Sequence, residues 1–180
     1  MTATSPSPRR PRLGFLGVGW IGTRRLEAIV EAQVAEVVAL ADPSAEMVER
    51  AAENAPNARR CASLEELLAM DLDGILIATP SAQHARESIS ALERGLAVFC
   101  QKPLGRDTAE VTATIAAART ADRLLGVDLS YRHTDAMQQI RPLVRSGALG
   151  EIFAVDLVFH NAFGPQPRWF STPGSPAAGA

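Results

Sequence analysis

A glycine-rich turn near the start of the chain constrains its fold more than any other feature. The segment runs Arg12-Leu-Gly-Phe-Leu-Gly17-Val-Gly19-Trp-Ile-Gly22, an apolar strand pattern followed by G-x-G-x-x-G. Gly17 permits a tight turn, Gly19 lacks the side chain that would block a pyrophosphate, and Gly22 lets helix and strand pack closely. The motif predicts a dinucleotide site whose cofactor contacts here are Gly17, Gly19, Trp20, Ile21 and Gly22.

Apolar runs bounded by turn residues recur along the chain, with helical patterns between them. This alternation is typical of βαβ units and a parallel sheet covered by helices on both faces. The fold class predicted is therefore α/β, with a Rossmann-type doubly wound parallel sheet. The predicted strands lie near residues 12–17, 36–41, 58–61, 73–78, 96–100 and 123–128.

Composition narrows the function classes. A formal net charge of -2 over 180 residues gives no basic field for nucleic acid or anionic membranes, and no run approaches the roughly 20 apolar residues of a spanning helix. Cys61 and Cys100 lack the C-x-x-C spacing of a metal or redox site, which predicts buried thiols, no metal and a cytoplasmic, reducing compartment. Arg9-Arg10 could suggest a twin-arginine export signal, but the apolar run after it already serves as the first strand.

An acidic residue at the end of the second strand bears on the cofactor. Asp42 lies 20 residues after Gly22. A carboxylate there can accept hydrogen bonds from the adenosine ribose and would repel a 2'-phosphate, which favours NAD. NADP stays open, because arginines that could lie near the ribose occur at positions 50, 59 and 60. The alternative interpretation of Asp42 is an ordinary cap before the helix that starts near Ser44.

The fourth strand ends at Thr79-Pro80, and Ser81-Ala-Gln-His84 opens the next helix. Ligands of open α/β sheets bind at this edge, so Thr79 and Pro80 could line the adenine or nicotinamide pocket. Ser81 is predicted to cap the helix. His84 is interpreted as a first-turn helix residue that packs near the cofactor rather than as a catalytic one.

The fifth strand delivers Gln101-Lys102-Pro103 to the same edge, where Gln101 and Lys102 are predicted to contact the cofactor. Because proline fixes the local backbone, Lys102 would project from a stiff turn toward the cleft. A lysine beside a nicotinamide could hydrogen-bond a substrate hydroxyl and assist proton transfer. On position alone, a solvated loop lysine is the competing interpretation.

These motifs together resemble the Gfo/Idh/MocA family of glucose-fructose oxidoreductase and inositol dehydrogenase. The resemblance rests on the glycine motif, Ala41-Asp42-Pro43, the Thr79 to His84 segment and Gln101-Lys102-Pro103-Leu104, and it continues through Val127 to His133 and Ile140 to Phe153. It implies a first domain that binds NAD or NADP and a second, open α/β domain that shapes the site of a sugar or polyol. The family lysine corresponds to Lys102, with a role in substrate orientation or proton transfer.

The resemblance also sets the expected domain organisation. Residues 1–11, rich in Ser, Pro and Arg, are predicted to be a disordered tail, 12–130 a NAD(P)-binding domain, and 131–180 the incomplete start of the substrate domain. Family members continue with an aspartate and a histidine that complete the active site, and no residue here is assigned those roles. Homo-oligomers are expected only where the full second domain is present.

Two further features depart from the family pattern or carry a physical difficulty. Gln101 occupies a position where the family commonly has glutamate. The amide removes a charge partner for Lys102 but keeps hydrogen-bonding capacity.

Apolar residues alternate along 151–160 as they do in a strand, yet a strand needs neighbouring strands to satisfy its backbone hydrogen bonds. This arm is expected to pack loosely, pair with another copy or aggregate.

Two functions are therefore compared. The first is an NAD(P)-dependent oxidoreductase acting on a sugar, polyol or related hydroxy compound, represented by its nucleotide-binding part. The second is a dinucleotide-binding remnant or regulatory module without catalysis, which Gln101 favours.

Overall fold

Residues 9–158 and residue 160 are described by the structure, a computed structural model. Within them the strands are β1 (Arg12–Leu16), β2 (Glu36–Ala41), β3 (Arg59–Cys61), β4 (Gly74–Ile77), β5 (Ala97–Gln101) and β6 (Leu125–Asp128). The α-helices are α1 (Trp20–Ala32), α2 (Ala45–Ala52), α3 (Leu64–Leu68), α4 (Ser81–Glu93), α5 (Thr108–Ala121) and α6 (Asp135–Arg145). A short 3-10 helix, Ser130–His133, precedes α6.

The strands form one parallel sheet in the order β3-β2-β1-β4-β5-β6. The chain builds outward from β1 to β3, returns to the middle at β4 and then builds outward on the other side. Neighbouring strands β1 and β4 thus mark the switch point at which the direction of winding reverses. In open sheets of this kind, ligands bind outside the carboxyl ends of the strands at this point.

Apolar side chains alternate between the two faces of the sheet, because successive residues of a strand point in opposite directions. Phe15 lies beside Leu40 and Leu76 in register, and these residues pack against α1 and α2. Leu16 and Ile77, the next residues along their strands, belong to a second core that includes residues of α3, α4 and α5. Both faces are therefore covered, which confirms the doubly wound α/β prediction.

All six predicted strands are present, with boundaries within two residues of the expected ones. The near-continuous apolar runs identified them because strands of a parallel sheet are buried on both faces. Cys61 and Cys100 are both buried free thiols, as predicted. Burial raises the pKa of the Cys100 thiol to about 12.

The strand predicted at 151–160 is wrong for the residues that the structure describes. Residues 152–158 have no regular secondary structure and are exposed. A strand requires a partner for its backbone groups, and the described part of the chain contains none that pairs with this segment. Expectations for residue 159 and for residues 161–180 lie outside the described residues.

The predicted tail also lies largely outside the described residues, which begin at Arg9. Its guanidinium forms two hydrogen bonds of 2.6 and 2.7 Å with the carboxylate of Asp73, and Glu36 N donates to Pro11 O at 2.8 Å. Residues 9–11 are thus tied to the amino edge of the sheet. None of the helices in residues 9–158 is both long enough and apolar enough to cross a membrane.

Candidate functional site

The carboxyl ends of the central strands lie side by side. Leu16, the last residue of β1, is in register with Ala41 of β2 and Ile77 of β4. The segments that follow are joined by backbone hydrogen bonds, from Gly17 N to Ala41 O and from Ala78 N to Leu16 O, each 2.8 Å long. The residues after β1, β2 and β4 therefore share one edge.

Two glycines of the motif, Gly17 and Gly22, are required by the backbone geometry. Gly17 has φ of +83°, and a Cβ there would lie 2.6 Å from the carbonyl carbon of Ala78. A Cβ on Gly22 would lie 2.0 Å from Gly17 O. The tight turn and the close helix packing predicted for these two positions are confirmed.

Gly19 differs from them, because an added Cβ would meet nothing within 4 Å. Its backbone has φ of -63°, which any residue can adopt. The protein's own packing thus gives no reason for glycine at this position. Open space at the mouth of the turn is what close approach of a ligand to the backbone requires.

The start of α1 carries no side-chain cap. Its N-cap residue is Gly19, and the N–H groups of residues 20–22 precede the first helical hydrogen bond, from Thr23 N to Gly19 O (2.9 Å). Trp20, the first helical residue, is 71% exposed, and Ile21 is half-buried. This end of the helix offers N–H donors and the positive end of its dipole to the space in front of the turn.

The pattern of capping follows the topology of the sheet. Of the five helices that follow a strand, α2, α3 and α5 are capped by Ser44, Ser63 and Asp107, whose side chains accept from backbone N–H groups. The two without a side-chain cap, α1 and α4, follow the two strands at the switch point. Helix α6, which follows β6 and the 3-10 helix, also begins without a side-chain cap. Among the helices that connect consecutive strands, the uncapped starts are therefore grouped at the switch point.

The predicted cap by Ser81 is wrong. Pro80 has φ of -59° and ψ of 140° and occupies the N-cap position, so Ser81 is the first helical residue. From there its hydroxyl does not cap the helix.

Asp42 holds the turns after β1 and β2 together. Its carboxylate accepts from Val18 N at 3.0 Å and from Ser44 N at 2.9 Å. The helix cap itself is Ser44, so Asp42 is not the ordinary cap of the alternative interpretation. The carboxylate is half-buried, and with about four acceptor positions it can take further donors.

His84 has no exposed surface and joins two turns of the edge. Its Nε2 lies 2.7 Å from Thr79 O and its Nδ1 lies 2.7 Å from Pro103 O. The ring thus bridges the turn after β4 and the turn after β5. It lies beneath the surface of the site and supports the segments that carry Thr79, Pro80 and Lys102.

Helix α4, which carries His84, also carries a buried carboxylate that the sequence analysis missed. Glu87 is 4% exposed, and Thr79 Oγ1 donates to its Oε2 at 2.5 Å. Burial raises the pKa of Glu87, the Thr79 hydrogen bond opposing the shift. The available signal was its spacing of three residues from His84, which places both on one helix face.

Lys102 is exposed at the same edge, in the residue after β5, and is followed by a cis peptide bond to Pro103. It is the single lysine among the 18 lysine and arginine residues of the chain. Its side chain is free to reach into the space beside the switch point, whereas Gln101 before it is buried.

Gln101 belongs to a second polar group that the sequence analysis missed. Its Nε2 donates to Asp128 Oδ2 at 2.5 Å, and Arg25 Nε of α1 donates to the same oxygen. Lys102 N donates back to Gln101 Oε1 at 3.2 Å. Asp128 is the last residue of β6, and Asp42 directly follows β2. An acidic residue at the carboxyl end of a strand was therefore the signal that could have identified Asp128.

A six-stranded parallel sheet of this order, with a glycine turn and an uncapped helix at its switch point, defines a dinucleotide-binding Rossmann domain. Residues 11–129 match the Gfo/Idh/MocA family, described as an oxidoreductase family with an NAD-binding Rossmann fold. The chain belongs to this family, and the resemblance seen in its motifs is confirmed.

Individual relatives agree with this assignment. The chain is 32% identical to the rhizopine catabolism protein MocA of Rhizobium meliloti over 146 residues, which cover 81% of this chain and 46% of that protein. It is 32% identical to an inositol 2-dehydrogenase of Corynebacterium glutamicum over 144 residues, or 78% of this chain and 43% of that protein. The chain spans less than half the length of these relatives.

A solved structure gives the same result. The WlbA dehydrogenase of Bordetella pertussis, crystallised with NADH and UDP-GlcNAcA, superposes with a TM-score of 0.74 at 28% identity. The match covers 79% of this chain and 44% of that one. An NAD-binding domain is therefore what the fold and the family both define.

Gly22→Ala should destabilise the protein by about 3 kcal/mol, because the new Cβ and Gly17 O cannot both keep their places. Gly19→Ala is the matched control, with an expected loss of no more than about 1 kcal/mol. Urea denaturation followed by circular dichroism measures both free energies of unfolding. Equal losses in the two variants would contradict the close approach of α1 to the turn.

Glu87→Gln should make stability less dependent on pH. The folded-state pKa of Glu87 is raised above its ordinary value of 4.5, so its contribution is fully present below that value and is lost as pH rises through the folded pKa. As pH rises from 4 toward 7, the free energy of unfolding of the variant should therefore increase relative to that of the wild type. Urea denaturation at each pH measures both values. Glu93→Gln, at the exposed end of α4, should show no such gain.

Proposed function

We propose that this chain is the nucleotide-binding part of an NAD-dependent oxidoreductase that acts on a sugar, polyol or related hydroxy compound. One observation carries the proposal: the glycine turn, the uncapped start of α1, Asp42 and Lys102 share one edge at the switch point. The names of its relatives support the class of reaction, since they include inositol 2-dehydrogenases and a D-apiose dehydrogenase.

The residues of the turn suit the pyrophosphate of a dinucleotide. Backbone N–H groups at the start of α1 are free donors, and the space in front of Gly19 admits a ligand to within contact of the backbone. Gly17 and Gly22 hold this geometry, and the N–H of Gly22 is one of the free donors. Trp20 and Ile21 contribute their N–H groups and border the entrance.

Asp42 would select the cofactor. Its carboxylate is held by Val18 N and Ser44 N in front of the turn and keeps acceptor capacity for the hydroxyls of an adenosine ribose. A 2'-phosphate in the same place would meet a like charge. NAD is accordingly the proposed cofactor.

The turns after β4 and β5 would hold the nicotinamide end of the cofactor. Thr79 and Pro80 line the space between them, while His84 fixes their spacing through its two carbonyl contacts. Gln101 supports the backbone of Lys102 from below. A bound nicotinamide supplies the acceptor or donor of hydride.

Lys102 is the proposed catalytic residue. In its unprotonated form, the exposed amino group can accept a hydrogen bond from a substrate hydroxyl and, in the oxidation, take the proton that leaves this hydroxyl as the carbonyl forms. In the reverse direction the same group returns the proton to the developing hydroxyl. The 17 arginines cannot take this role at neutral pH, since guanidinium groups do not give up a proton there.

Cofactor binding is the first test. We expect Gly19→Val to weaken NADH binding about tenfold or more, because its side chain fills the space that the ligand needs, with a loss of stability of about 1 kcal/mol at the N-cap. Asp42→Ser should reduce the preference for NADH over NADPH by a similar factor. Isothermal titration calorimetry with both nucleotides measures these affinities. Full NADH affinity in Gly19→Val would move the pyrophosphate away from this turn.

Turnover is the second test. With a panel of inositols, pentoses and hexoses, reduction of NAD is followed by the absorbance of NADH. Lys102→Met should lower the rate about 100-fold or more while NADH affinity stays near that of the wild type. Lys102→Arg is the matched control: it keeps the positive charge but cannot accept and return a proton near neutral pH, so it should be as slow as Lys102→Met. Tight NADH binding without turnover would favour the non-catalytic module instead.

A further inference from the structure

A line of hydrogen bonds passes from the middle of the nucleotide helix to the backbone of the lysine turn. It begins at Arg25 on α1, passes through Asp128 at the end of β6 and the carboxamide of Gln101 at the end of β5, and ends at Lys102 N. Asp128 is 6% exposed and Gln101 is 8% exposed. The group is therefore built into the interior rather than formed by mobile surface side chains.

The two ends of the Gln101 carboxamide make opposite kinds of hydrogen bond. Its nitrogen donates to a carboxylate, which can only accept, and its oxygen accepts from a backbone N–H, which can only donate. The orientation of the amide is thus fixed by its two partners. A carboxylate at 101 could accept from Lys102 N, but it could not donate to Asp128.

Glutamate at this position, the residue that the family commonly has, would place two carboxylates at hydrogen-bond distance in a buried setting. Like charges so close disfavour each other's ionised form. Arg25 contributes one charge and is partly exposed, so it cannot balance both. The presence of Asp128 on the neighbouring strand therefore accounts for glutamine in this chain.

We propose that Gln101 is a positioning residue for Lys102, matched to Asp128, and that through Arg25 it fixes the lysine turn relative to the helix that holds the cofactor. The inference rests on the proposed function in giving Lys102 its role. It goes beyond that function in naming what holds Lys102 in place and why the motif here carries an amide.

The single lysine of the chain makes a direct test practical. Protein grown with 15N-labelled lysine gives one lysine backbone amide signal in a 1H–15N spectrum, and that signal is Lys102 N–H. Its chemical shift reports the hydrogen bond to Gln101 Oε1. Neither cofactor nor turnover is needed for this measurement.

Arg25→Met tests transmission through the network, since Arg25 has no contact with Lys102 in the line of hydrogen bonds described. We expect the Lys102 amide signal to move, because Asp128 loses the hydrogen bond from Arg25 and the carboxamide that donates to Asp128 shifts with it. Arg24→Met is the matched control: Arg24 is the preceding residue of α1 and pairs with Glu27. It should leave the signal in place.

Exchanging the amide of Gln101 and the carboxylate of Asp128 tests whether the two residues are matched. Gln101→Glu should lower the midpoint of thermal unfolding and shift the Lys102 signal, whereas Gln139→Glu, the same change on exposed α6, should do neither. The double variant Gln101→Glu with Asp128→Asn restores one carboxylate and one amide. It should recover part of the lost midpoint and return the signal toward its wild-type position, because the new amide at position 128 can donate to the new carboxylate at position 101 while Arg25 loses its carboxylate partner.

Two results would overturn the inference. One is a Lys102 signal that responds equally to Arg25→Met and Arg24→Met. The other is a double variant that is no better than Gln101→Glu alone, since a merely structural loss at 101 would not be rescued at 128. Should the network respond as expected while Lys102→Met retains full activity, the proposed function fails and the positioning of the turn stands.

Discussion

The contact between Gly22 and the carbonyl oxygen of Gly17 is the constraint on which the rest of the site depends. Helix α1 can begin directly above the end of β1 only because Gly22 carries no side chain facing Gly17 O and because Gly17 adopts a φ of +83°. That closeness aims the free N–H groups of α1 across the edge of the sheet and brings Val18 N within reach of Asp42. The turn, the helix start and the acid are one arrangement rather than three separate features.

The capping pattern shows how the same scaffold distinguishes its binding edge from its other helix starts. Helices α2, α3 and α5 satisfy their own first-turn donors with Ser44, Ser63 and Asp107, which leaves those donors unavailable to a ligand. At the switch point the caps are a glycine and a proline, neither of which has a side-chain acceptor. Among the five helices that connect consecutive strands of the sheet, donor groups are thus left without a side-chain cap beside β1 and β4, where the crossing of the sheet opens a crevice.

Local pattern accounts for most of what the sequence could predict. The strands, the glycine turn and the buried thiols follow from short-range rules of burial and backbone geometry. The network of Arg25, Gln101 and Asp128 could not be predicted in the same way, because its members are 103 and 27 residues apart and meet only when the sheet is ordered. Ser81 was misassigned since the proline before it takes the cap position, and the strand expected at 151–160 lacks a partner among the described residues.

The replacement of the family's glutamate by Gln101 is interpreted differently once the fold is known. Along the chain it removes a carboxylate from the residue before Lys102 and suggests a weakened site. Across the sheet, Asp128 supplies a buried carboxylate 2.5 Å from the carboxamide nitrogen, so the negative charge lies one strand further on and is paired with Arg25. The charge is kept near the turn, and the amide becomes the link between it and the lysine backbone. A substitution in a motif is therefore judged by what the neighbouring strand places against it, and here that neighbour favours a supported lysine over a degraded one.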